Sequence, residues 1–217
     1  TQAEQVMSDY TGKFITLEGI EGVGKTTNRN YIRSLLEQTG KPCVETREPG
    51  GTARGEALRE MLLEHKHEGM SSDAELLMMF AARAEHLHKV ILPALEDGNN
   101  VLCDRFTEAT YAYQGGGRGI NDNRIAELET WVQGDLRPDL TIILDAPVET
   151  GRERAGRRSA PDRIEKEQND FFERVRHTYL QLANHYPHRI SVVDASVAIE
   201  QVQDQIYHVM KQHGIVD

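Results

Sequence analysis

The segment Gly19-Ile20-Glu21-Gly22-Val23-Gly24-Lys25-Thr26 fits the pattern G-x-x-x-x-G-K-[ST], which is typical of a phosphate-binding loop. Its glycines let the backbone wrap around a polyphosphate so that successive N–H groups point inward. The pattern assigns the lysine to the β- and γ-phosphates and the threonine hydroxyl to Mg²⁺.

The segments on both sides of the loop support this interpretation. Phe14-Ile15-Thr16-Leu17 is a short apolar run between turn residues, as in a buried parallel strand. After the loop, Ile32, Leu35 and Leu36 follow helical spacing, so a bound phosphate would lie at a helix N-terminus. The alternative, a glycine turn that matches by chance, is weaker in this context.

Composition limits the class of protein. The chain has 217 residues, enough for one sizeable α/β domain. Asp and Glu outnumber Lys and Arg by 35 to 25, giving a formal charge of −10, which argues against a general nucleic-acid-binding protein. No apolar stretch approaches about 20 residues and no signal peptide is recognisable, so we expect a cytoplasmic protein without a membrane partner. Cys43 and Cys103 lie in apolar runs and are interpreted as reduced core thiols.

Strand-like and helix-like segments alternate along the chain. Apolar runs at 43–46, 101–104, 140–145 and 190–194 are interpreted as four strands after the first, separated by amphipathic helices. Such alternation predicts an α/β fold of the P-loop NTPase type, a five-stranded parallel sheet with helices on both faces. We expect a single domain over residues 12–217, preceded by a disordered extension or cloning remnant at 1–11.

Charged residues follow two of these strands, at the edge of the sheet where ligands bind in open parallel folds. The second strand runs into Arg47-Glu48-Pro49-Gly50-Gly51, where Arg47 is either a phosphate ligand or a solvated turn residue. The third strand ends in Asp104, where a Walker-type aspartate would support Mg²⁺. Arg105 beside it would face the phosphoryl groups.

Arg83 lies among apolar positions of a predicted helix, three residues after Phe80 and four before Leu87. A guanidinium in such a place is costly unless it is paired. Its partner is either an internal carboxylate, such as Glu85 or Asp104, or an acceptor atom of a ligand. The helix alone does not decide between them.

Five arginines cluster late in the chain: Arg152, Arg154, Arg157, Arg158 and Arg163. Arg154 and Arg158 are four residues apart and would share one helix face. A solvated basic face is the usual interpretation of such a run. The break at Ser159-Ala160-Pro161 favours instead a mobile lid at about 152–164, closing over a triphosphate.

In chain order these features resemble the thymidylate kinase family, P-loop enzymes that phosphorylate dTMP with ATP. The resemblance runs from about Lys13 to the C-terminal helix. Its markers are Leu17-Glu18-Gly19, Arg47-Glu48-Pro49-Gly50-Gly51, Ala82-Arg83, Asp104-Arg105-Phe106, Tyr113-Gln114-Gly115-Gly116 and Asp162-Arg163-Ile164-Glu165. It implies a nucleoside monophosphate kinase-like fold with a lid, ATP and dTMP as substrates, Mg²⁺ as cofactor, and a homodimer.

The resemblance also assigns roles to matching residues. ATP binding falls to Gly19, Ile20, Glu21, Gly22, Val23, Gly24, Lys25, Thr26, Thr27 and Arg154. The acceptor would be bound by Arg47, Glu48, Met79, Phe80, Arg83, Arg105, Thr110, Tyr113 and Gln114. Catalysis is assigned to Lys25, Arg105, Arg158 and Glu21, and the metal to Thr26 and Asp104.

Within the acceptor site, the resemblance gives the dTMP phosphate to Arg47 and Arg105 and the thymine carbonyl to Arg83. Thr110 would face the base edge, and the ring of Tyr113 would crowd C2′ of the sugar and disfavour a ribose hydroxyl.

Three positions bear on how this chain differs within the family. Gly22 stands where some eukaryotic members carry an arginine, so the chain resembles the bacterial subtype, in which the lid supplies the catalytic cation. Arg158 is the best match for that role, and Arg154 is the second candidate. Ala109 stands where many relatives have a serine, so one polar contact is expected to be missing. Many relatives also have a phenylalanine where this chain has Met79. Either Met79 or Phe80 could stack on thymine, because adjacent helical residues point about 100° apart.

Two other kinds of protein compete with this reading. One is another nucleoside or nucleotide kinase of the same fold, because the sequence does not show the pocket shape that would distinguish the acceptors. The other is a non-catalytic P-loop nucleotide switch, although the chain has no Asn-Lys-x-Asp guanine-binding motif. A P-loop domain acting only as a scaffold would not need the lid arginines.

Overall fold

The computed structural model describes residues 10–64, 69–156 and 162–217. Five parallel strands form one sheet in these ranges, in the order β2-β3-β1-β4-β5. The strands are β1 (Phe14–Glu18), β2 (Cys43–Arg47), β3 (Asn100–Asp104), β4 (Leu140–Asp145) and β5 (Ile190–Asp194). Because β1 pairs with β3 on one side and β4 on the other, the loop that follows β1 emerges at the centre of the sheet.

Helices connect the strands. They are α1 (Lys25–Gln38), α2 (Ala53–Leu63), α3 (Ser72–His86), α4 (Leu92–Glu96), α5 (Thr107–Thr110), α6 (Asp122–Gln133), α7 (Val148–Gly156), α8 (Asn169–His185) and α9 (Ile199–Gln212). Two π-helical segments, Leu87–Ile91 and Tyr111–Gly117, extend α3 and α5 directly.

Apolar side chains pack on both faces of the sheet. On one face, Ile15 and Leu17 join a large cluster that includes Ile32 of α1 and Val175 of α8. Phe14 belongs to a second cluster, with Leu87, Ile91, Val101, Cys103 and Phe106. The predicted α/β fold with helices on both faces is therefore confirmed.

The long helical path from α3 through α4 differs from a uniform helix. Ser71 caps it, accepting a hydrogen bond from the Ala74 N–H at 3.2 Å. Ala84, although it lies four residues after the buried Phe80, is exposed, whereas Arg83 and His86 are fully buried. The inner face of α3 thus carries two polar side chains, Arg83 and His86, which both pair with Glu48.

Both cysteines are free thiols, Cys103 buried and Cys43 partly exposed. Of the predicted extension at 1–11, residues 1–9 lie outside the described residues, and Tyr10 packs against the Phe14 cluster. In the part of the chain that the structure describes, no helix is long and apolar enough to cross a membrane.

Candidate active site

The loop between β1 and α1 has a backbone that requires glycine. Gly19, Gly22 and Gly24 have φ values of 132°, 78° and 93°. A Cβ on Gly22 would lie only 1.8 Å from the carbonyl oxygen of Gly151 in α7. Because α7 packs directly on the loop, no side chain fits at position 22.

The loop's own side chains point in two directions. Ile20 and Val23 are buried in the core, where they anchor the loop to the sheet. Thr26 and Thr27 are exposed on the first turn of α1. These two buried side chains therefore fix the loop, while the start of α1 stays accessible.

Lys25 begins α1 and folds back over the loop. Its Nζ donates hydrogen bonds to the carbonyl oxygens of Gly19 and Ile20, both at 3.1 Å. Burial, and then the charge of Arg105, lower the pKa of Lys25 to about 8. Two neutral carbonyls are weak acceptors for an ammonium group, so a polyphosphate would be a stronger partner at this position.

Arg105 lies at the centre of the site in a left-handed backbone conformation, with φ of 69°. Its Nη2 donates to Glu21 Oε1 at 2.8 Å, to the Tyr113 hydroxyl at 3.0 Å and to the Gly19 carbonyl at 3.1 Å. Its Nε is buried and has no partner among the described residues. A ligand oxygen could therefore bind Arg105 without displacing Glu21.

Tyr113 completes this group from the π-helical segment after α5. Its hydroxyl donates to both carboxylate oxygens of Glu21, at 2.9 and 3.0 Å, and its ring lies 4.9 Å from the Arg105 guanidinium carbon. Burial raises the pKa of Tyr113 well above its ordinary value, which keeps the hydroxyl protonated as a donor.

These residues border a cavity of about 300 Å³ at the carboxyl ends of β1, β2 and β3. Its cationic side chains are Lys25, Arg47, Arg59 and Arg105. Carboxylates also line it: Glu21, Glu48, Asp104, Asp162 and Glu165. Met79, Ala109 and Tyr113 contribute apolar surface. A cavity with several arginines beside a phosphate-binding loop is suited to phosphorylated ligands.

Arg59 of α2 was not predicted from the sequence. It lines the cavity and donates from Nη1 to the Pro49 carbonyl at 3.0 Å. Burial, followed by the charges of Arg47 and Arg105, lowers its pKa, so an anion between these arginines would relieve their repulsion. No sequence pattern distinguishes Arg59 from other arginines on short helices.

Arg47, a predicted phosphate ligand, lies at the cavity rim. Its side chain is half exposed, and its Nη2 donates to Glu56 at 2.8 Å. Binding of a phosphate by Arg47 would therefore exchange a solvated ion pair for a ligand contact, at modest cost.

The choice between Met79 and Phe80 has a structural answer. Met79 lines the cavity, whereas Phe80 packs with Leu76, Ile120 and Ile125 in a separate core cluster. Phe80 was predicted as a substrate-binding residue, and the structure places it in the core, because adjacent helical side chains diverge by about 100°.

Arg83 is fully buried, and its internal partner is Glu48, not Glu85 or Asp104. Its Nε donates to Glu48 Oε2 at 2.8 Å, and its Nη2 donates to the hydroxyl of Thr110 at 2.9 Å. Glu48 lines the cavity as well, so the guanidinium lies just behind the cavity wall. Its Nη1 has no partner within the described residues and remains available as a donor.

Gln114 lines the cavity and is held by Glu75 of α3. Its Nε2 donates to Glu75 Oε1 at 2.9 Å, while its buried Oε1 has no partner in the described part of the chain. Glu75 also pairs with Arg118 and with Arg163 of the predicted lid. The glycine-rich segment and the lid are thereby tied to the same carboxylate.

Only part of the predicted lid can be placed. Arg158, predicted to be catalytic, lies outside the described residues, as do Arg157 and the Ser-Ala-Pro break. Arg154, predicted to bind ATP, donates to the Ala195 carbonyl at 3.1 Å and does not line the cavity. Asp162, Ile164 and Glu165 do border the cavity.

Two oxygen donors are suitably placed for a divalent cation. The Thr26 and Asp104 side chains line the same cavity, and Asp104 has only a 3.7 Å contact with Arg29 as an ion pair in the described ranges. Mg²⁺ usually takes one or two protein oxygens and completes its shell with phosphates and water, so these residues fit such an ion.

A central parallel strand, the loop after it and a helix that begins at the lysine define a P-loop nucleotide-binding protein. A sequence model of the thymidylate kinase family matches residues 17–206, and the chain belongs to this family.

Individual relatives agree over most of the chain. It is 58% identical over 196 residues to a thymidylate kinase of Pseudomonas putida strain F1, covering 90% of this chain and 93% of the relative. Identity to a thymidylate kinase of Nitrosospira multiformis is 52% over 195 residues, covering 90% and 95%. The crystal structure of thymidylate kinase from Ehrlichia chaffeensis superposes with a TM-score of 0.75 at 34% identity, covering 92% and 98%.

Proposed function

We propose that this protein transfers the γ-phosphate of ATP to dTMP, giving dTDP and ADP for dTTP biosynthesis. The observation that carries the proposal is a single cavity shared by the phosphate-binding loop and three arginines, in a chain of the thymidylate kinase family. Phosphoryl transfer requires mainly alignment and charge neutralisation, and both can be provided by this arrangement.

The loop side of the cavity would hold ATP. Loop N–H groups and Lys25 bind the phosphates, and Lys25 exchanges its two carbonyl contacts for phosphate oxygens. Bound Mg²⁺, held by Thr26 and Asp104, would supply charge neutralisation across the phosphates. Arg154 is the second candidate, after Arg158, for the cation that the lid supplies, and it would reach ATP by exchanging its contact with the Ala195 carbonyl.

The acceptor phosphate would lie among Arg47, Arg59 and Arg105. Glu21 and Tyr113 fix the orientation of Arg105 while its Nε stays available. A phosphate nucleophile is largely ionised near neutral pH, so no strong general base is needed. Glu21 therefore acts by orienting the arginine.

The base would be read by groups that lack partners. The buried atoms without a hydrogen-bond partner among the described residues include a donor behind the cavity wall, Arg83 Nη1, and an acceptor on a cavity residue, Gln114 Oε1. Thymine presents a carbonyl acceptor next to an N–H donor, which complements this pair, whereas cytosine presents the reverse order. Met79 and Ala109 supply apolar surface for the ring, and Tyr113 would crowd C2′ of the sugar.

We further infer a role for the lid and for a second subunit. Arg158 would close over the triphosphate and offset transition-state charge, since Gly22 leaves no room for a loop arginine.

A homodimer would form through α2, α3 and α6, which make up one continuous surface because α3 packs against both α2 and α6. These helices expose Met61, Leu77 and Trp131, which are 45%, 57% and 83% accessible. The cytoplasm is the expected location.

The direct test is to incubate the protein with ATP, Mg²⁺ and dTMP and separate the nucleotides by anion-exchange chromatography. Equal amounts of dTDP and ADP are expected from the wild type and from the surface control Lys211→Ala, but neither from Lys25→Ala. A P-loop switch would release ADP without dTDP, and that result would contradict the proposal.

A further inference from the structure

A chain of buried hydrogen bonds leads from β2 to Arg83. His86, the last residue of α3, is fully buried and has a partner at each ring nitrogen. Its Nε2 lies 2.6 Å from Thr46 Oγ1, and its Nδ1 lies 2.9 Å from Glu48 Oε1. The other carboxylate oxygen of Glu48 accepts from Arg83 Nε. The order of contacts is therefore Thr46, His86, Glu48, Arg83.

The chemistry of these groups fixes where the protons lie. A carboxylate only accepts, so His86 must carry its proton on Nδ1 and donate it to Glu48. With Nδ1 protonated in a neutral ring, Nε2 accepts, and the Thr46 hydroxyl donates to it.

The turn after β2 covers this chain. Gly51 has a φ of +79°, and a Cβ there would lie 2.6 Å from His86 Nε2 and 2.7 Å from Thr46 Oγ1. The backbone of the turn therefore packs directly on the His86–Thr46 pair. This contact explains why the last residue of the Arg47–Gly51 segment is a glycine.

Two hydrogen bonds set the orientation of the Arg83 side chain, one from Nε to Glu48 at 2.8 Å and one from Nη2 to Thr110 at 2.9 Å. Its guanidinium carbon lies 4.8 Å from the ring centroid of Phe80 and 5.1 Å from that of Phe106. Contacts with ring faces allow rotation within the guanidinium plane, while the hydrogen bonds to Glu48 and Thr110 oppose it. The Glu48 bond is the charged one of the two, so a displacement of Glu48 would weaken the hold on Nη1.

We propose that Thr46 and His86 are positioning residues for base selection, acting through Glu48 to aim the Arg83 guanidinium at the pyrimidine carbonyl of the acceptor. The inference rests on the proposed function, because it requires dTMP as the acceptor. Neither residue would touch the substrate. Their contribution would appear in the affinity and selectivity for the base, with the ATP site unchanged.

The test is Thr46→Val, which removes the hydroxyl from a strand where valine is well accommodated. We expect the KM for dTMP to rise about five-fold, as the loss of one net hydrogen bond predicts, with an unchanged KM for ATP. The dTMP to dCMP ratio of kcat/KM should fall, and Thr46→Ser should restore it. Thr141→Val, which removes a buried hydroxyl paired with Thr16 at 2.7 Å elsewhere in the sheet, is the matched control.

The outcomes separate this inference from the proposed function. A wild type inactive towards dTMP would refute the function itself. An active wild type with an unchanged KM for dTMP in Thr46→Val, even with a lower melting temperature, would overturn the positioning role. If Thr46→Val does not fold, ¹⁵N NMR of wild-type His86 decides: a ring with a proton on Nδ1 is expected, and a ring with its proton on Nε2 alone would refute the chain of contacts.

Discussion

At the scale of single residues, Arg105 shows how the site stores free energy. A non-glycine residue with φ of 69° costs of order 1–3 kcal/mol, and the surrounding structure must impose it. The hydrogen bonds to Glu21, Tyr113 and Gly19 do so, and among the described residues they leave Nε without a partner. These hydrogen bonds hold the Arg105 side chain in position for an anion before any ligand binds.

Glu18, at the end of β1, gives a prediction about pH. It is fully buried, and its two carboxylate oxygens accept from the Phe106 N–H and the Tyr179 hydroxyl. Burial, and then the charge of Glu108, raise the pKa of Glu18 from 4.5 to about 8. Between these values the folded protein keeps a proton that the unfolded chain releases, so stability should fall as pH rises from about 4.5 through 8.

Glu18→Gln removes this titration while retaining an acceptor and a donor. The free energy of unfolding, measured in urea at pH 5.5 and pH 8, should decline less between the two conditions in Glu18→Gln than in the wild type. Glu200→Gln, an exposed change in α9, is the control and should behave as the wild type. An equal decline in all three proteins would show that Glu18 is ionised when folded.

Residue-scale predictions from sequence failed where the partner is distant in the chain. Arg83 was correctly suspected of needing a partner, but Glu48 lies 35 residues away and meets it only once β2 and α3 pack together. Arg59 was missed because one arginine on a short helix has no distinguishing pattern. His86 could not be recognised from the sequence either, because its two partners, Thr46 and Glu48, come into contact with it only in the folded chain.

At the scale of elements, α7 supports the loop by backbone contact. A Cβ on Gly151 would lie 2.6 Å from the Glu21 carbonyl oxygen, whereas one on Gly156, in the same helix, would meet nothing within 4 Å. Gly151→Ala should therefore push α7 from the loop, lower stability by about 1–3 kcal/mol and raise the KM for ATP. Gly156→Ala should leave the KM for ATP unchanged. Identical KM values for ATP in both variants would mean that the contact does not shape the loop.

The lid gives a second element-scale prediction. If Arg158 acts only as charge develops, Arg158→Ala should lower kcat and kcat/KM together with little change in the KM for dTMP. Arg47, at the rim, should bind the acceptor already in the ground state, so Arg47→Ala should chiefly raise that KM. Steady-state kinetics of both variants distinguish the roles, and a near-normal kcat in Arg158→Ala would exclude this arginine from the mechanism.

Elements were easier to predict than contacts, for physical reasons. Runs such as Phe14–Leu17 are buried on both faces of a parallel sheet, so their apolar character is continuous and visible in the sequence. The helical path from α3 to α4 departs from the uniform helix that the spacing of its apolar residues predicts. The π-helical segment shifts the side-chain phase after residue 86, and the polar cluster around Glu48 takes the inner face instead of Ala84.

At the scale of the whole molecule, the exposed surface of α2, α3 and α6 predicts a dimer. Leu77→Glu would place a charge in that interface at little cost to the monomer, because the side chain is 57% accessible. Sedimentation velocity should show a dimer for the wild type and a monomer for Leu77→Glu. Ile199→Glu, a comparable change at the start of α9, should remain dimeric. A monomeric wild type would contradict the homodimer.

A panel of nucleotide acceptors tests whether dTMP is the substrate of this protein. ADP release would be measured with ATP, Mg²⁺ and each of dTMP, dUMP, dCMP, dGMP and the ribonucleotide counterpart of dTMP, giving kcat/KM for each. Arg83, Gln114 and Tyr113 together predict the highest value for dTMP, a lower one for its ribonucleotide counterpart, and little transfer to dCMP. A higher kcat/KM for dCMP or dGMP than for dTMP, or ADP release that does not depend on the acceptor, would contradict the account.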